Sequence, residues 1–203
     1  DKFLFSVKQK VINTTSKRYD FYSYGQIIRN KIPDGLSNFY ILHEGPIATL
    51  DDELIEEDYD DIQDQKFTKI AQKGWLGVGD KYYVASIIPP KEREFKTTFD
   101  YKKKFRANFI TTKPLELNQN SYIEDDLQII VAAKRVDVID GYAEKLKIDK
   151  FDLTIDWGFL YFITKPLFFG IDYFFKLLGN YGLAIIAITI CIRLAFFPLA
   201  NFS

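Results

Sequence analysis

The sequence contains no methionine, one cysteine and one histidine in 203 residues. A single cysteine excludes an intrachain disulfide framework. A single histidine, His43, excludes a multi-histidine metal site. No excess of one charge exists either: 27 Lys and Arg face 28 Asp and Glu, a net charge of −1, so the chain as a whole is no binder of nucleic acid or another polyanion. Catalytic signatures are missing too. Gly74, Gly77 and Gly79 have the wrong order for a dinucleotide-binding turn, and no G-x-S-x-G nucleophile turn occurs. A serine triad would have to use His43, which no local motif supports. Carboxylates abound, but their spacing selects no catalytic pair. No cofactor or metal site is expected, and no internal repeat is visible. The absence of methionine, with Asp1 at the start, reads as a piece of a longer gene product.

Aromatic residues are plentiful: 19 Phe, 13 Tyr and 2 Trp, enough apolar surface to exclude a disordered chain. Charge breaks sharply near residue 156. Beyond it only Lys165, Asp172, Lys176 and Arg193 are charged. The chain therefore divides into a charged, water-compatible part, residues 1–156, and an apolar tail, which reads as a membrane segment.

Within the tail, residues 181–199 carry a single charge. At about 1.5 Å rise per residue they extend roughly 28 Å, near the thickness of a bilayer's hydrocarbon core. This reads as a transmembrane helix over residues 180–203; a buried core helix is the alternative. Residues 157–179 read as an interfacial amphipathic segment. At about 100° per residue, Lys165, Asp172 and Lys176 fall within an arc of roughly 40° on a helical wheel, a narrow polar stripe on an aromatic surface. The alternative is an amphipathic helix packed on a soluble domain. Pro166 fits the first helical turn, Gly179 the position after the last, and Asn180 the cap of the next helix. A guanidinium deep in hydrocarbon costs at least about 2.5 kcal/mol, so Arg193 is expected in a wet cavity or against a partner, unless it snorkels to the interface.

Residues 1–156 read mostly as strands. Phe3, Phe5 and Val7 alternate with polar neighbours, and the run ends at Asn13. Phe105, Ala107 and Phe109 alternate likewise, followed by Leu127, Ile129 and Val131, and residues 75–88 form a longer β-type run. Pro33, Asp34 and Gly35, and Pro89 with Pro90, punctuate. The fold class is mainly β, an antiparallel β-sandwich. One helix stands out near residues 137–147, with Val138, Tyr142 and Leu146 at four-residue steps, and reads as the connector towards the membrane. Residues 51–64 hold nine acids and no base. They lack the pattern of a calcium loop and read as a solvated loop. Lys102, Lys103, Lys104 and Arg106 read as an exposed strand whose lysines discourage edge pairing, with phosphate or headgroup contact as the alternative.

The tail carries a resemblance. Asp156, Trp157, Gly158, Phe159, Leu160 and Tyr161, then Gly179, Asn180, Tyr181 and Gly182, then Ile192 and Arg193 with Phe197, Pro198 and Leu199, resemble in order and spacing the YidC-type bacterial membrane protein insertases of the YidC/Oxa/Alb family. Upstream, Gly74 to Gly77 with Asp80 to Tyr83, Ile87 to Pro89, Tyr24 to Gln26, and Ser37 to Phe39 resemble the same family's periplasmic domain. The resemblance implies a periplasmic β-sandwich of the supersandwich type with a C-terminal helix, truncated at its N-terminus, then an interfacial helix and a truncated transmembrane helix. It implies a non-enzymatic insertase and chaperone of the bacterial inner membrane, multi-pass, with residues 1–156 periplasmic. The implied partners are nascent membrane proteins, the Sec translocon and the lipid bilayer. Arg193 aligns with the arginine of a hydrophilic intramembrane groove that receives polar parts of an incoming chain. The alternative reading is a membrane-anchored sandwich that binds or isomerises sugars, for which one histidine is a poor endowment.

Overall fold

The structure, a computed structural model, describes residues 3–33, 42–158 and 160–201, with side chains through Phe197. It divides into two compact units, Asp1–Asp156 and Trp157–Ser203. Asp34 and Gly35 of the expected turn, the Ser37 to Phe39 motif and Phe159 lie outside the described residues.

The first unit is the expected antiparallel β-sandwich. Twelve strands are described: β1 (Leu4–Ile12), β2 (Tyr19–Phe21), β3 (Tyr24–Arg29), β4 (Gly45–Leu50), β5 (Glu53–Glu56), β6 (Phe67–Ala71), β7 (Gly74–Gly79), β8 (Tyr83–Ile88), β9 (Phe95–Tyr101), β10 (Phe105–Thr111), β11 (Leu115–Leu117) and β12 (Tyr122–Ala133). They form a six-stranded sheet in the order β1-β12-β8-β7-β4-β5, a four-stranded sheet β3-β10-β9-β6, and the pair β11-β2, all antiparallel. Asn13 closes β1 as the sequence suggests. Its buried side-chain amide donates to the carbonyls of Lys17 (2.6 Å) and Asn118 (3.0 Å), fixing the turn and tying it to the end of β11.

Two cores flank the larger sheet. Between the sheets, Ala48, Leu76 and Ile87 pack with Phe95, Phe99, Phe105 and Phe109 of the smaller one. On the opposite face, Ile47, Trp75, Val84 and Ile130 pack against Ile139 and Tyr142 of helix α2 (Val136–Leu146) and against Phe151 in a 3-10 turn, Phe151–Thr154. Burial of both faces explains why β4 and β7 read as unbroken apolar runs rather than alternating ones. It also revises the role of the helix expected at 137–147: α2 covers the sheet, and its Ile139 is wholly buried. Lys91 Nζ donates to the Leu146 carbonyl (2.9 Å) at its C-terminal end, where orphan carbonyls need donors.

The acidic stretch 51–64 is not a loop. Asp51 and Asp52 make a turn with positive φ, strand β5 follows, and helix α1 (Tyr59–Asp64) buries Tyr59 and Ile62. The acids line the outside of an element whose apolar members, Ile55, Tyr59 and Ile62, are core. Lys102, Lys103 and Lys104 form the turn between β9 and β10 rather than a strand. Arg106 lies in β10 and holds Asp100 with two hydrogen bonds, 2.6 and 2.5 Å.

The second unit contains helices α3 (Tyr161–Leu178) and α4 (Tyr181–Asn201), packed on each other. Gly179 adopts φ 68° and its N–H returns to the Phe175 carbonyl at 2.8 Å, the left-handed stop that glycine favours. Asn180 Oδ1 then accepts from the Leu183 N–H at 3.2 Å, capping α4. Phe175 stacks on Tyr181 across the turn, centroids 4.0 Å apart.

One expectation for the tail is corrected here. Pro166 lies inside α3, not in its first turn. The helix starts earlier because the Thr164 hydroxyl donates to the Trp157 carbonyl (2.7 Å) and Tyr161 N–H reaches the Gly158 carbonyl (3.1 Å), closing a turn before the proline. Residues 181–201 form α4, and among the described residues no helix is long and apolar enough to cross a membrane.

Candidate functional site

The residues singled out in the tail occupy the helical pair. Asp172 and Lys176 are brought together one turn apart, Oδ2 to Nζ 2.5 Å. Lys165 instead places its ammonium over the Trp157 ring, 5.7 Å from the centroid. Asp172 and Lys176 thus neutralise each other, and Lys165 engages an aromatic face. Around them the surface is apolar. Phe162, Phe168, Phe169, Tyr173 and Leu177 of α3 are exposed, and no residue of α3 is buried. On α4, Leu183, Ile186, Ile190, Leu194 and Phe196 are exposed. A contiguous greasy exterior of this kind marks a surface built to face lipid or protein.

Arg193 is exposed on α4, and among the described residues no carboxylate pairs with it. Thr189, one turn before it, spends its hydroxyl on the Ile185 carbonyl at 2.7 Å. The guanidinium thus offers its five donors outward in an otherwise apolar setting. Cys191 is exposed beside it.

The sandwich holds a second polar constellation that sequence reasoning missed. At the end of β4 and β7, the His43 N–H donates to Asp156 Oδ2 at 3.0 Å. The His43 ring reaches the Pro46 carbonyl with Nε2 at 3.2 Å and lies 3.9 Å from Asp58 through Nδ1. Lys134 follows β12 into the same region. Burial lowers its pKa, and the carboxylates of Asp156, Asp80, Glu44 and Glu56 oppose the fall. Arg29 pairs with Asp80. Burial pushes the Tyr59 phenol beside it up to about 12. Nothing in the local sequence announces this cluster, because its members come from six separate segments.

Glu56 carries a testable pH dependence. Although its side chain keeps contact with water, its pKa is raised, first by partial desolvation among its neighbours and then by repulsion from Asp156 and Asp58, against attraction from His43 and Lys134. The folded state therefore binds a proton more tightly than the unfolded one, and stability falls as pH rises through the window above the ordinary carboxylate value. Glu56→Gln is expected to melt at a higher temperature than the parent at pH 7. The difference should shrink as pH falls towards that ordinary value. Thermal melts of both chains across pH 4 to 7 check it.

A cavity of about 220 Å³ opens beside Lys73, Lys91, Lys147 and Phe95. Two of its lysines are already engaged. Lys73 pairs with Asp52 (2.9 Å) and Asp149 (3.3 Å), and Lys91 holds the end of α2. Among the described residues no group of three or more His, Cys, Asp or Glu is placed to hold a metal ion.

Fold and tail together define a β-sandwich domain continued by a pair of helices with an apolar exterior, the make-up of an extramembrane domain attached to a membrane protein. Residues 1–169 match the family described as the YidC periplasmic domain. The chain is 73% identical over 203 residues to the membrane protein insertase YidC of Pelagibacter ubique (strain HTCC1062), covering 100% of this chain and 36% of that protein. It is 38% identical over 210 residues to the protein of the same name from Rickettsia prowazekii (strain Madrid E), covering 99% of this chain and 37% of that one. To the Rickettsia typhi (strain ATCC VR-144 / Wilmington) protein, also so named, it is 37% identical over 209 residues, covering 99% and 37%. The chain belongs to the YidC family and carries its periplasmic domain. It spans about a third of the length of these relatives.

Proposed function

We propose that the full-length protein containing this chain is a membrane protein insertase and chaperone of the bacterial inner membrane. It assists nascent membrane proteins to enter and fold in the bilayer, with or without the Sec translocon. The observation that carries this reading is the 73% identity along the whole chain to a protein named membrane protein insertase. In this reading the protein is multi-pass, residues 1–156 are periplasmic, and α3 rests at the membrane interface with Lys165, Asp172 and Lys176 near the headgroups.

Arg193 supplies the chemistry. It lies in a hydrophilic groove of the assembled protein and contacts polar, often acidic, parts of an incoming chain. A charge-assisted contact inside a region of low dielectric is stronger than in water, so it lowers the barrier for a polar segment to leave water. No bond is made or broken, and no nucleotide or cofactor is needed. The exposed apolar skin of α3 and α4, and a guanidinium that no carboxylate among the described residues pairs with, support this assignment. The test is reconstitution: full-length protein in liposomes should raise the protease-protected fraction of a newly made single-span protein above that of empty liposomes. Equal protection in both would overturn the reading.

A further inference from the structure

The smaller sheet gathers lysines at one end. Its register sets Arg29, Phe105 and Tyr101 side by side, with Phe67 opposite Phe99. The β9–β10 turn, residues 102–104, therefore leaves the sheet at the same end as Lys66, the residue before β6. Lys66, Lys102, Lys103 and Lys104 are all exposed, and among the described residues no carboxylate pairs with them. Helix α1 packs on β9, yet its acids Asp60, Asp61 and Asp64 hold none of the four.

The turn holds its lysines in place. The Lys102 N–H donates to the Lys104 carbonyl at 3.1 Å, and Lys103 takes φ 63°, the left-handed region that glycine favours. Beneath the turn the Tyr101 ring lies on Phe105, centroids 4.7 Å apart, and buried Phe105 meets Tyr59 edge-on at 4.6 Å. Like charges are thus kept together on a strained, well-anchored tip. They guard no edge, because β9 and β10 are the two inner strands of the sheet, each paired on both sides. Strain that the surroundings hold in place, with no structural gain, points to a binding surface.

The neighbours indicate the partner. Tyr101 is 40% exposed on the face of Phe105, and Ile28 is 48% exposed on the other face, opposite Arg106. Arg106 is already bonded to Asp100, so its planar fork is spent. What remains is a set of ammonium point charges, which suit a diffuse layer of phosphates better than the two-pronged grip on a single carboxylate. Ammonium groups flanked by a tyrosine and an aliphatic side chain match a bilayer's headgroup boundary. The same chain continues into helices with an apolar exterior. We infer that Lys66, Lys102, Lys103 and Lys104, with Tyr101 and Ile28, form a pad that rests on anionic lipid headgroups. The inference depends on the reading of the chain as part of a membrane protein.

Lysine footprinting of the full-length protein in lipid nanodiscs tests the pad, with a neutral, water-soluble acetylating reagent and mass spectrometry. In discs of equal parts phosphatidylglycerol and phosphatidylcholine, Lys102, Lys103 and Lys104 should label about fivefold or more slowly than in phosphatidylcholine alone, the factor that a lysine near an anionic surface supplies. Lys113, exposed beyond the other end of β10, should label alike in both. At about 1 M salt the screening length falls to about 3 Å and the difference should vanish. Lys103→Gly suits the left-handed turn and removes one charge, so protection at Lys102 and Lys104 should fall by about half or more. Equal labelling in the two kinds of disc would overturn the pad, as would equal protection of Lys113 or undiminished protection in Lys103→Gly. So would protection in phosphatidylcholine discs by added glycerol phosphate or by an acidic peptide, which would make the tip a free-phosphate site or a protein dock. Liposome insertion measured on the same preparation separates the two readings: protein that inserts substrates but labels alike in both discs refutes the pad alone.

Discussion

Phe151→Ala is expected to destabilise the chain by about 3–5 kcal/mol, the range for emptying a buried aromatic site. Phe151 is wholly buried and meets Trp75 edge-on, with ring centroids 5.3 Å apart. It is the residue through which the segment after α2 closes the second core, against Ile47, Trp75 and Ile139. Removing it leaves a cavity beneath Trp75. The loss falls on α2 as well, since that helix is held to the sheet by this core. Urea denaturation followed by tryptophan fluorescence should show a lower midpoint and, because Trp75 is next to the change, an altered native signal. Phe5→Ala is the contrast. Phe5 is 56% exposed on the edge strand β1, and its loss should cost within about 0.5 kcal/mol. Equal losses in the two variants would mean that the second core carries little of the fold.

Arg193→Ala in the full-length protein is the second large effect, this time on function. A hydrogen bond to a charged group contributes about 1.5–3 kcal/mol, so its removal should slow insertion of substrates with acidic translocated segments roughly tenfold or more. Substrates whose translocated segments carry no charge should be affected much less. Arg193→Lys separates charge from geometry. If the positive charge is what counts, Lys retains most of the activity; if the planar fork binds a carboxylate bidentately, it does not. The sandwich should be unaffected in both variants, because Arg193 lies in the other compact unit. Unimpaired insertion of acidic-segment substrates by the Ala variant would remove Arg193 from the mechanism.

Much of this architecture is visible in the residues. The loss of charge after residue 156 coincides with the boundary between the two units. Gly179 and Asn180 stop one helix and start the next as their chemistry dictates. The alternation of Phe105, Ala107 and Phe109 is the inward face of β10, all three buried. Arg193 is conspicuous as the one charge in an apolar helix. The misreadings share a cause. Nine charges make the stretch 51–64 read as a solvated loop, yet Ile55, Tyr59 and Ile62 at intervals between them are core. Pro166 suggested a helix start, but Thr164 had already closed a turn upstream.

Local pattern reports the inward face of a single element, and that is what the sequence determined: strands, one amphipathic helix, a left-handed glycine stop, and a boundary where charge ends. What covers each face depends on pairings between residues distant along the chain. Only the tertiary structure sets Leu4 beside Ile130, lays α2 on the back of the six-stranded sheet, and brings the His43 N–H to the Asp156 carboxylate. Such contacts have no periodicity to read, because the chain must first fold before its ends become neighbours.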